Sequence, residues 1–550
     1  QAAAFGRSQQ EEIPALRGSI YAKDGTTLAY SEPRYDVYVW LPELQYRELK
    51  GLQTRADFTE KVGALTDYTG EQLAQYLEEM ENNGVRWIKI AGQVTVEARE
   101  KIMNLTVEGD SGAKLAGYDF IETSKRIYPE GSLASQTIGL TNQDDDGNTI
   151  GLGGIEGEWD GNLEPIAGYL SGERDAKGNA IGISTERTIE SVRGNSIYTS
   201  VDKHLQQIVE QHLKWAVETY NADSGSVVIM DPHDGSIMAL ANYPTYDANL
   251  RENKDASAYG NKAVSEPYEI GSVGKIFTLS TAIDLGVVTP DSVIIQGHNG
   301  CESISDDLLP VCTHDKLPQP PMPIKDAFAL SDNIYFLHLG QLIEKQDFYN
   351  SLQKFGIGHA SGVDLQGESF GYLKDWEKWN IADVSAYSYG HSYQINLVQA
   401  TAAVAAVANG GVLMQPHVVQ KVVQADGTEI DFEPQVINRV IKPETAALMS
   451  SMMYVIYQNN LFWWEHQYDD LRSYNIALKS GTALIPDKYG YTNEINATYA
   501  GYDANPEHTF VMLARLERPD GSLASMNTRV LWMEIFRDIK DYLGVKRLGQ

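Results

Sequence analysis

The sequence predicts an α+β protein of two domains. An elongated β-rich unit over residues 1–195, with a small helical insertion at about 55–115, precedes a unit over 196–550 in which helices flank a sheet. Three observations lead there. Strand and turn patterns dominate the first third, and apolar helical periodicity dominates after Ser200. Strongly apolar strands also stand near both ends of the second unit, Gly225 to Ala241 and Ile476 to Glu517, so its sheet draws on both.

Taken in order, residues Gln1 to Ala15 are polar and are expected to form a flexible lead-in. Arg17 to Ala29 reads as two short strands about an Asp24-Gly25 turn. From Asp57 to Asn83, Val62, Leu65, Leu73, Tyr76 and Leu77 recur at helical spacing; a second helix is expected over Val96 to Met103, and strand patterning resumes from Tyr118 to Ile127. Between Tyr128 and Ser191 glycines and acids recur, as in Gly151 to Trp159 and Gly172 to Gly178, which predicts turn-rich β structure ending in a linker near Gly194. Beyond it, Ser200 to Val217 is helical with Asp202 near its start, and Gly225 to Met230 and Ser236 to Ala241 form a hairpin about Asp231-Pro232-His233-Asp234-Gly235. Helices are expected at Lys275 to Leu285, Ile334 to Glu344, Leu397 to Ala408 and Pro443 to Gln458, the last with proline in its first turn. Strands follow at Ile476 to Lys479, Ala497 to Tyr502 and Thr509 to Glu517, and a helix closes the chain from Val530 to Leu543.

Composition narrows the function. With 42% hydrophobic and 10% aromatic residues the 550-residue chain is globular, neither fibrous nor disordered. Forty-four basic against 75 acidic residues give a net charge of -31, which repels a phosphate backbone, so no nucleic acid partner is expected. The longest mostly apolar stretch, Thr401 to Met414, is interrupted by Asn409, Gly410 and Gly411 and is too short to span a bilayer. The numbering opens at Gln1 without an initiator methionine, so a segment N-terminal to it is expected.

The two cysteines, Cys301 and Cys312, lie close together. In an oxidising compartment they would close a short loop worth about 3 kcal/mol, and in a reducing one they would be free thiols. A zinc site with His314 and nearby aspartates is a further alternative, although the spacing matches no strong metal pattern.

The chemistry is concentrated in three short motifs. In Gly271-Ser272-Val273-Gly274-Lys275 a serine precedes a lysine by three residues at the head of an apolar helix, which puts both on one face. A buried lysine with a lowered pKa can take the serine proton, and the helix N-terminus offers amides to an oxyanion. In Ser331-Asp332-Asn333, heading the next helix, the Ser331 hydroxyl can relay a proton and the Asn333 amide can bind a peptide. In Lys479-Ser480-Gly481-Thr482, at the end of an apolar strand, Lys479 and the two hydroxyls can hold a carboxylate, Gly481 lets substrate backbone approach, and the Thr482 N–H can be a second oxyanion donor. Each motif alone is weak; in this order they are the signature of the penicilloyl-serine transferases.

With these motifs the chain resembles the class B penicillin-binding proteins, the monofunctional peptidoglycan transpeptidases. The resemblance extends to Arg17-Gly18-Ser19-Ile20 with Asp24-Gly25, to Arg126 with Tyr128-Pro129, Gly131 and Ala134, to Gly154-Ile155-Glu156 and Leu163, and to Met230-Asp231-Pro232 with Ala241-Asn242-Tyr243-Pro244. It implies a pedestal (dimerisation-type) domain before a transpeptidase domain, with Ser272 as nucleophile, Lys275 as base, Ser331 as proton relay, Asn333 as peptide binder, and Lys479, Ser480 and Thr482 as the carboxylate and oxyanion strand. The implied substrates are stem peptides ending in D-Ala-D-Ala, and β-lactams would acylate the same serine. The resemblance further implies a single N-terminal membrane anchor, a catalytic domain on the extracytoplasmic side, a membrane glycan-strand polymerase as partner, and a Cys301–Cys312 disulfide. No cofactor or metal is expected for the reaction.

The chain departs from the family at Gly390-His391-Ser392, where a Gly-Gln-Gly is usual; His391 either lines the cleft or is a satisfied histidine. Two rival readings remain. A serine β-lactamase would use Glu368 as deacylating base, but has no need of the long N-terminal unit. A silent β-lactam sensor or scaffold would be expected to carry signalling helices or to lose Ser272 or Lys275, and both residues are present.

Overall fold

The computed structural model describes residues 8–144, 149–173, 187–250, 256–304, 310–463, 467–487, 490–521 and 523–549. Among these, a five-stranded antiparallel sheet forms the centre of the C-terminal half, in the order Ile237–Tyr243, Ser224–Met230, Val511–Glu517, Gly490–Asp503 and Ile476–Asp487. As expected, an early hairpin joins three late strands. The strands outrun the apolar patterns that announced them, because ladder pairing continues through polar residues as far as Asp487 and Gly490.

Helix Leu397–Ala408 is buried along its whole length and packs on strands Ser224–Met230, Val511–Glu517 and Gly490–Asp503. A helix with no solvent face needs apolar residues all round, which accounts for the long apolar stretch that begins within it. No helix among the described residues is long and apolar enough to cross a membrane. Helices Lys203–Thr219 and Thr528–Ile539 pack on each other and on strands of the same sheet, and Asp202 caps the first by accepting from the His204 and Leu205 amides.

The N-terminal half is built on the strand Thr27–Trp40, paired with Tyr118–Ile127 and Trp87–Val94. This sheet runs on through Ile20–Tyr21 to Ser196–Thr199, which pairs in turn with Val419–Val423 from the C-terminal half. One sheet therefore joins the two halves. The quoted N-terminal blocks meet in a buried knot: Glu156, fully buried, takes Arg17 Nε at 2.8 Å on one oxygen and Arg126 Nε at 2.7 Å on the other, while Arg17 also reaches Asp160 at 2.6 Å. The paired charges and their fixed forks lock the Arg17 strand entry, the Arg126 strand and the Glu156 helix to one another.

Three local expectations are corrected. The lead-in is not wholly irregular: Ser8–Ile13 is a strand paired with Gly168–Glu173, a long-range partner that local polarity does not reveal. The Asp57 to Asn83 pattern is two helices, Arg55–Gly63 and Gly70–Asn82, the second opened by a Thr69–Gln72 capping box, and helical structure already begins at Leu41–Leu49. The insertion builds a core around Phe58, Val62, Leu73 and Leu77 that it shares with Val37 and Val39 of the Thr27–Trp40 strand. Between Tyr128 and Ser191 the structure has short helices at Ser135–Ile138, Gly154–Glu158 and Asp160–Leu163 among its strands, too short for periodicity to register. Of the Gly172 to Gly178 stretch, residues 174–178 lie outside the described residues, as do residues 1–7 of the lead-in.

Candidate active site

Ser272 stands on a 3-10 turn, Gly271–Gly274, that runs directly into helix Lys275–Asp284. The apolar face anticipated for this helix is its anchor: Ile276, Phe277, Leu279 and Ala282 are all fully buried. Gly271 is at φ +61, and a Cβ there would stand 2.6 Å from the Thr482 carbonyl oxygen, so the Ser272 turn lies against the Lys479 strand at a distance only glycine permits. Its N–H donates to the Gly390 carbonyl at 3.0 Å, which brings the Gly390-His391-Ser392 loop to the same place.

Lys275 is fully buried. Its Nζ donates to the Ser331 carbonyl at 2.6 Å and to Asn333 Oδ1 at 2.8 Å, with the Ser331 hydroxyl at 3.3 Å. Burial, and then the neighbouring Lys479 cation, hold its pKa well below the usual lysine range, with Asp332 opposing. Two carbonyl oxygens occupy both N–H bonds of a neutral amine, which leaves its lone pair as the acceptor for a proton. The Ser272 hydroxyl makes no hydrogen bond among the described residues, and Lys275 begins the helix one turn on.

Lys479 is the second buried lysine. Its Nζ donates to the Ser331 hydroxyl at 2.9 Å and to the Ser480 carbonyl at 2.9 Å, and burial lowers its pKa from 10.5 to about 7. Ser331 Oγ is thus the one atom reached by both lysines, and the structure brings Lys275, Ser331, Asn333 and Lys479 together as a single cluster.

The strand Ile476–Asp487 lies at the end of the five-strand order, with Lys479 to Thr482 in its middle and not, as anticipated, at its last step. Successive side chains alternate across a pleat, so Ser480 and Thr482 share one face and Lys479 takes the other. A Cβ at Gly481 would meet the Ile270 carbonyl oxygen at 2.3 Å, so the glycine also serves close packing of the strand on the Ser272 turn. The Thr482 hydroxyl accepts from the Ala524 amide at 3.1 Å. The Asn333 amide is used within the protein at both ends, its Nδ2 donating to the Cys312 carbonyl at 2.9 Å.

Some contributors had no local signal. Asp332 caps helix Asn333–Leu342 and receives His298 Nε2 at 2.8 Å, an interaction across sequence that only a fold can show. His391 is a satisfied histidine, with Nδ1 3.1 Å from Glu269, whose carboxylate also accepts from the Tyr491 hydroxyl at 2.9 Å. Cys301 and Cys312 are disulfide-bonded, and no cluster of three or more metal-ligating groups occurs among the described residues. Glu368, the base that a hydrolase would need, accepts from the Ser361 and Gly362 amides at 2.7 and 3.2 Å, which makes it a loop brace.

Residues 225–539 match the penicillin binding protein transpeptidase domain, and residues 12–199 match the penicillin-binding protein dimerisation domain. The chain is 31% identical to penicillin-binding protein PbpB of Mycolicibacterium smegmatis over 414 residues, 73% of this chain and 62% of that protein. It is 25% identical over 512 residues to the probable peptidoglycan D,D-transpeptidase PenA of Neisseria meningitidis, 92% of this chain and 81% of that one. The crystal structure of penicillin binding protein 2X from Streptococcus thermophilus shares the fold with a TM-score of 0.79 at 20% identity, covering 98% of this chain and 81% of its own. Both domains match in order, with the three motifs gathered at one site, and the chain belongs to the class B penicillin-binding proteins, the serine-type peptidoglycan D,D-transpeptidases.

Proposed function

We propose that Ser272 carries the acyl group and that Lys275, Ser331 and Lys479 move the protons and hold the substrate. The observation that carries this reading is the Lys275 amine, buried, depressed in pKa and pinned by two carbonyl oxygens. The neutral amine takes the Ser272 proton as Oγ attacks the penultimate D-Ala carbonyl carbon. The oxyanion is received by the backbone N–H groups of Ser272 and Thr482, which preorganised donors stabilise by about 3 kcal/mol each. Collapse of the tetrahedral adduct breaks the C–N bond, and the leaving amine receives its proton through the Ser331 hydroxyl, which reaches both lysines. An acceptor amine of a neighbouring stem peptide then attacks the ester, and the same relay runs in reverse.

Lys479, with Ser480 and Thr482, is assigned to the substrate carboxylate. A cation there strengthens on binding, because a carboxylate partner raises the pKa that burial has lowered. Asn333 is assigned to the peptide amide of the substrate through the Nδ2–H that its bond to the Cys312 carbonyl leaves over, while its Oδ1 holds Lys275. The same serine would be the point of β-lactam acylation. We further assign residues 1–195 as pedestal and 196–550 as transpeptidase unit, a membrane anchor before this numbering, an extracytoplasmic site, and a glycan-strand polymerase as partner through anchor and pedestal.

The test is intact-mass measurement after incubation with penicillin. A stable adduct that disappears in Ser272→Ala supports the reading; rapid release of hydrolysed penicillin from the wild type points to a hydrolase instead, and absence of any adduct in the wild type sinks it.

A further inference from the structure

We propose that His298 and the disulfide-closed hairpin beside it are a positioning device for the Ser331-Asp332-Asn333 turn, setting the relay hydroxyl and the base in place without touching substrate. The need for such a device lies in the turn itself. Ser331 is at φ +58, in the left-handed region, which a residue with a side chain occupies at a cost of about 1 kcal/mol or more and keeps only where its surroundings over-determine it.

The surroundings come largely from one hairpin. Asp332 Oδ1 accepts from the Ile334 and Tyr335 amides at 2.8 and 3.0 Å, and its Oδ2 receives His298 Nε2 at 2.8 Å. The Gly300 N–H donates to His298 Nδ1 at 3.0 Å, so Nδ1 is an acceptor and the ring proton sits on Nε2, directed at Asp332. Both side chains are almost wholly buried, 3% and 2% exposed, which makes the pair strong and its loss costly. One residue on, Asn333 Nδ2 donates to the Cys312 carbonyl while its Oδ1 accepts from Lys275. His298 thus holds Ser331 through Asp332, and the hairpin beside it holds Lys275 through Asn333.

The hairpin is itself cross-braced. Cys301 pairs with Cys312 in its register and is bonded to it through sulfur. The Thr313 amide donates to the Gly300 carbonyl at 2.9 Å, and His298 and Gln319 exchange both backbone hydrogen bonds, at 3.0 and 2.9 Å. Tyr335, on the helix that Asp332 caps, donates its hydroxyl to the Pro320 carbonyl at 2.9 Å and accepts from the Met322 amide at 3.0 Å. His298, Gly300 and the Cys312 carbonyl therefore form a fixed frame against which the turn is seated.

The inference rests on the acyl-transfer reading, and the experiment separates the two. Stopped-flow acylation of the full chain by a fluorescent penicillin is measured for the wild type, His298→Leu and His298→Gln. A Leu of similar bulk cannot donate to Asp332; the Gln amide can. His298→Leu is expected to lower the acylation rate constant by about tenfold or more, with the non-covalent penicillin affinity unchanged, and His298→Gln to recover most of the rate. A general packing defect would not be rescued by Gln and would not spare affinity. Should His298→Leu fail to fold, Cys301→Ser with Cys312→Ser frees the hairpin without altering the turn, and a fall in the acylation rate constant at unchanged affinity is again expected. Wild-type rates in His298→Leu, or in the double serine variant where that stands in, overturn this inference alone; a wild type that is never acylated overturns the reading beneath it.

Discussion

Replacing Lys479 by Met should make the protein more stable at neutral pH while abolishing its activity. The lysine is 1% exposed, and its pKa falls from 10.5 to about 7 through burial. At ~1.4 kcal/mol per unit, holding its charge in the folded protein at pH 7 costs about 5 kcal/mol relative to the unfolded chain. The hydrogen bonds to Ser331 Oγ and the Ser480 carbonyl return on the order of 1 to 3 kcal/mol of this, so Met, of similar length, should gain a few kcal/mol. The sign with pH follows from proton counting. Between pH 7 and 10.5 the unfolded chain holds the lysine proton and the folded protein has released it, so this group's contribution rises with pH and is lost as pH falls towards 7. Urea unfolding of wild type and Lys479→Met at pH 7 and at about pH 9.5 reads the difference directly: the wild type should close most of its deficit at the higher pH, by about 3 kcal/mol. Equal pH slopes in the two proteins, or a variant less stable than wild type at pH 7, would refute the assignment of Lys479 as a buried, depressed cation.

Other consequences can be checked more briefly. Glu156→Gln leaves Arg17 and Arg126 without their shared anion in a buried site, and should lower stability by about 3 to 5 kcal/mol in a urea titration while penicillin acylation of the surviving folded protein persists. Gly481→Ala drives a Cβ to within 2.3 Å of the Ile270 carbonyl oxygen, so the Lys479 strand must shift from the Ser272 turn; the acylation rate should fall by about a hundredfold even though alanine is tolerated by strand conformation. Because Lys275 is depressed well below 10.5 and must be neutral to accept the serine proton, acylation should rise with pH through a value far below that of a free lysine, and a profile that begins to rise only near pH 10 would rule Lys275 out as base.

What could be read from the sequence was what depends on local chemistry. The Ser272 helix, the Asp202 cap, the Met230 hairpin and the central helix after Leu397 all announce themselves through apolar spacing and capping residues, and the structure places them as read. The three motifs stand out because each sets hydroxyl, amine or amide groups at short spacing on one helix start or one strand, and the structure gathers them in one place. The rest depended on pairings that no window contains. Ser8–Ile13 becomes a strand only because Gly168–Glu173 is available to it, and the packing of Gly481 against the Ile270 carbonyl lies outside any local window. Asn333 offers a peptide-binding amide by its sequence; that the same amide also links Lys275 on one side to the Cys312 carbonyl on the other is visible only once the hairpin has folded over it.

That engagement explains how a serine in a strained backbone conformation can serve two lysines. Lys275 and Lys479 approach Ser331 Oγ from different elements, a core helix and an edge strand, and like charges brought to one hydroxyl would push the elements apart. Depressing both pKa values removes much of the repulsion, since a neutral amine neither repels nor needs a counter-ion. The burial that depresses Lys275 therefore also lets the helix and the strand close on each other, and the fixed point between them is the turn seated on Asp332 and its buried histidine. On the proposed mechanism, the stability surrendered by burying two lysines is what activates the site: a solvated pair would fold more easily and would leave Ser272 an ordinary alcohol.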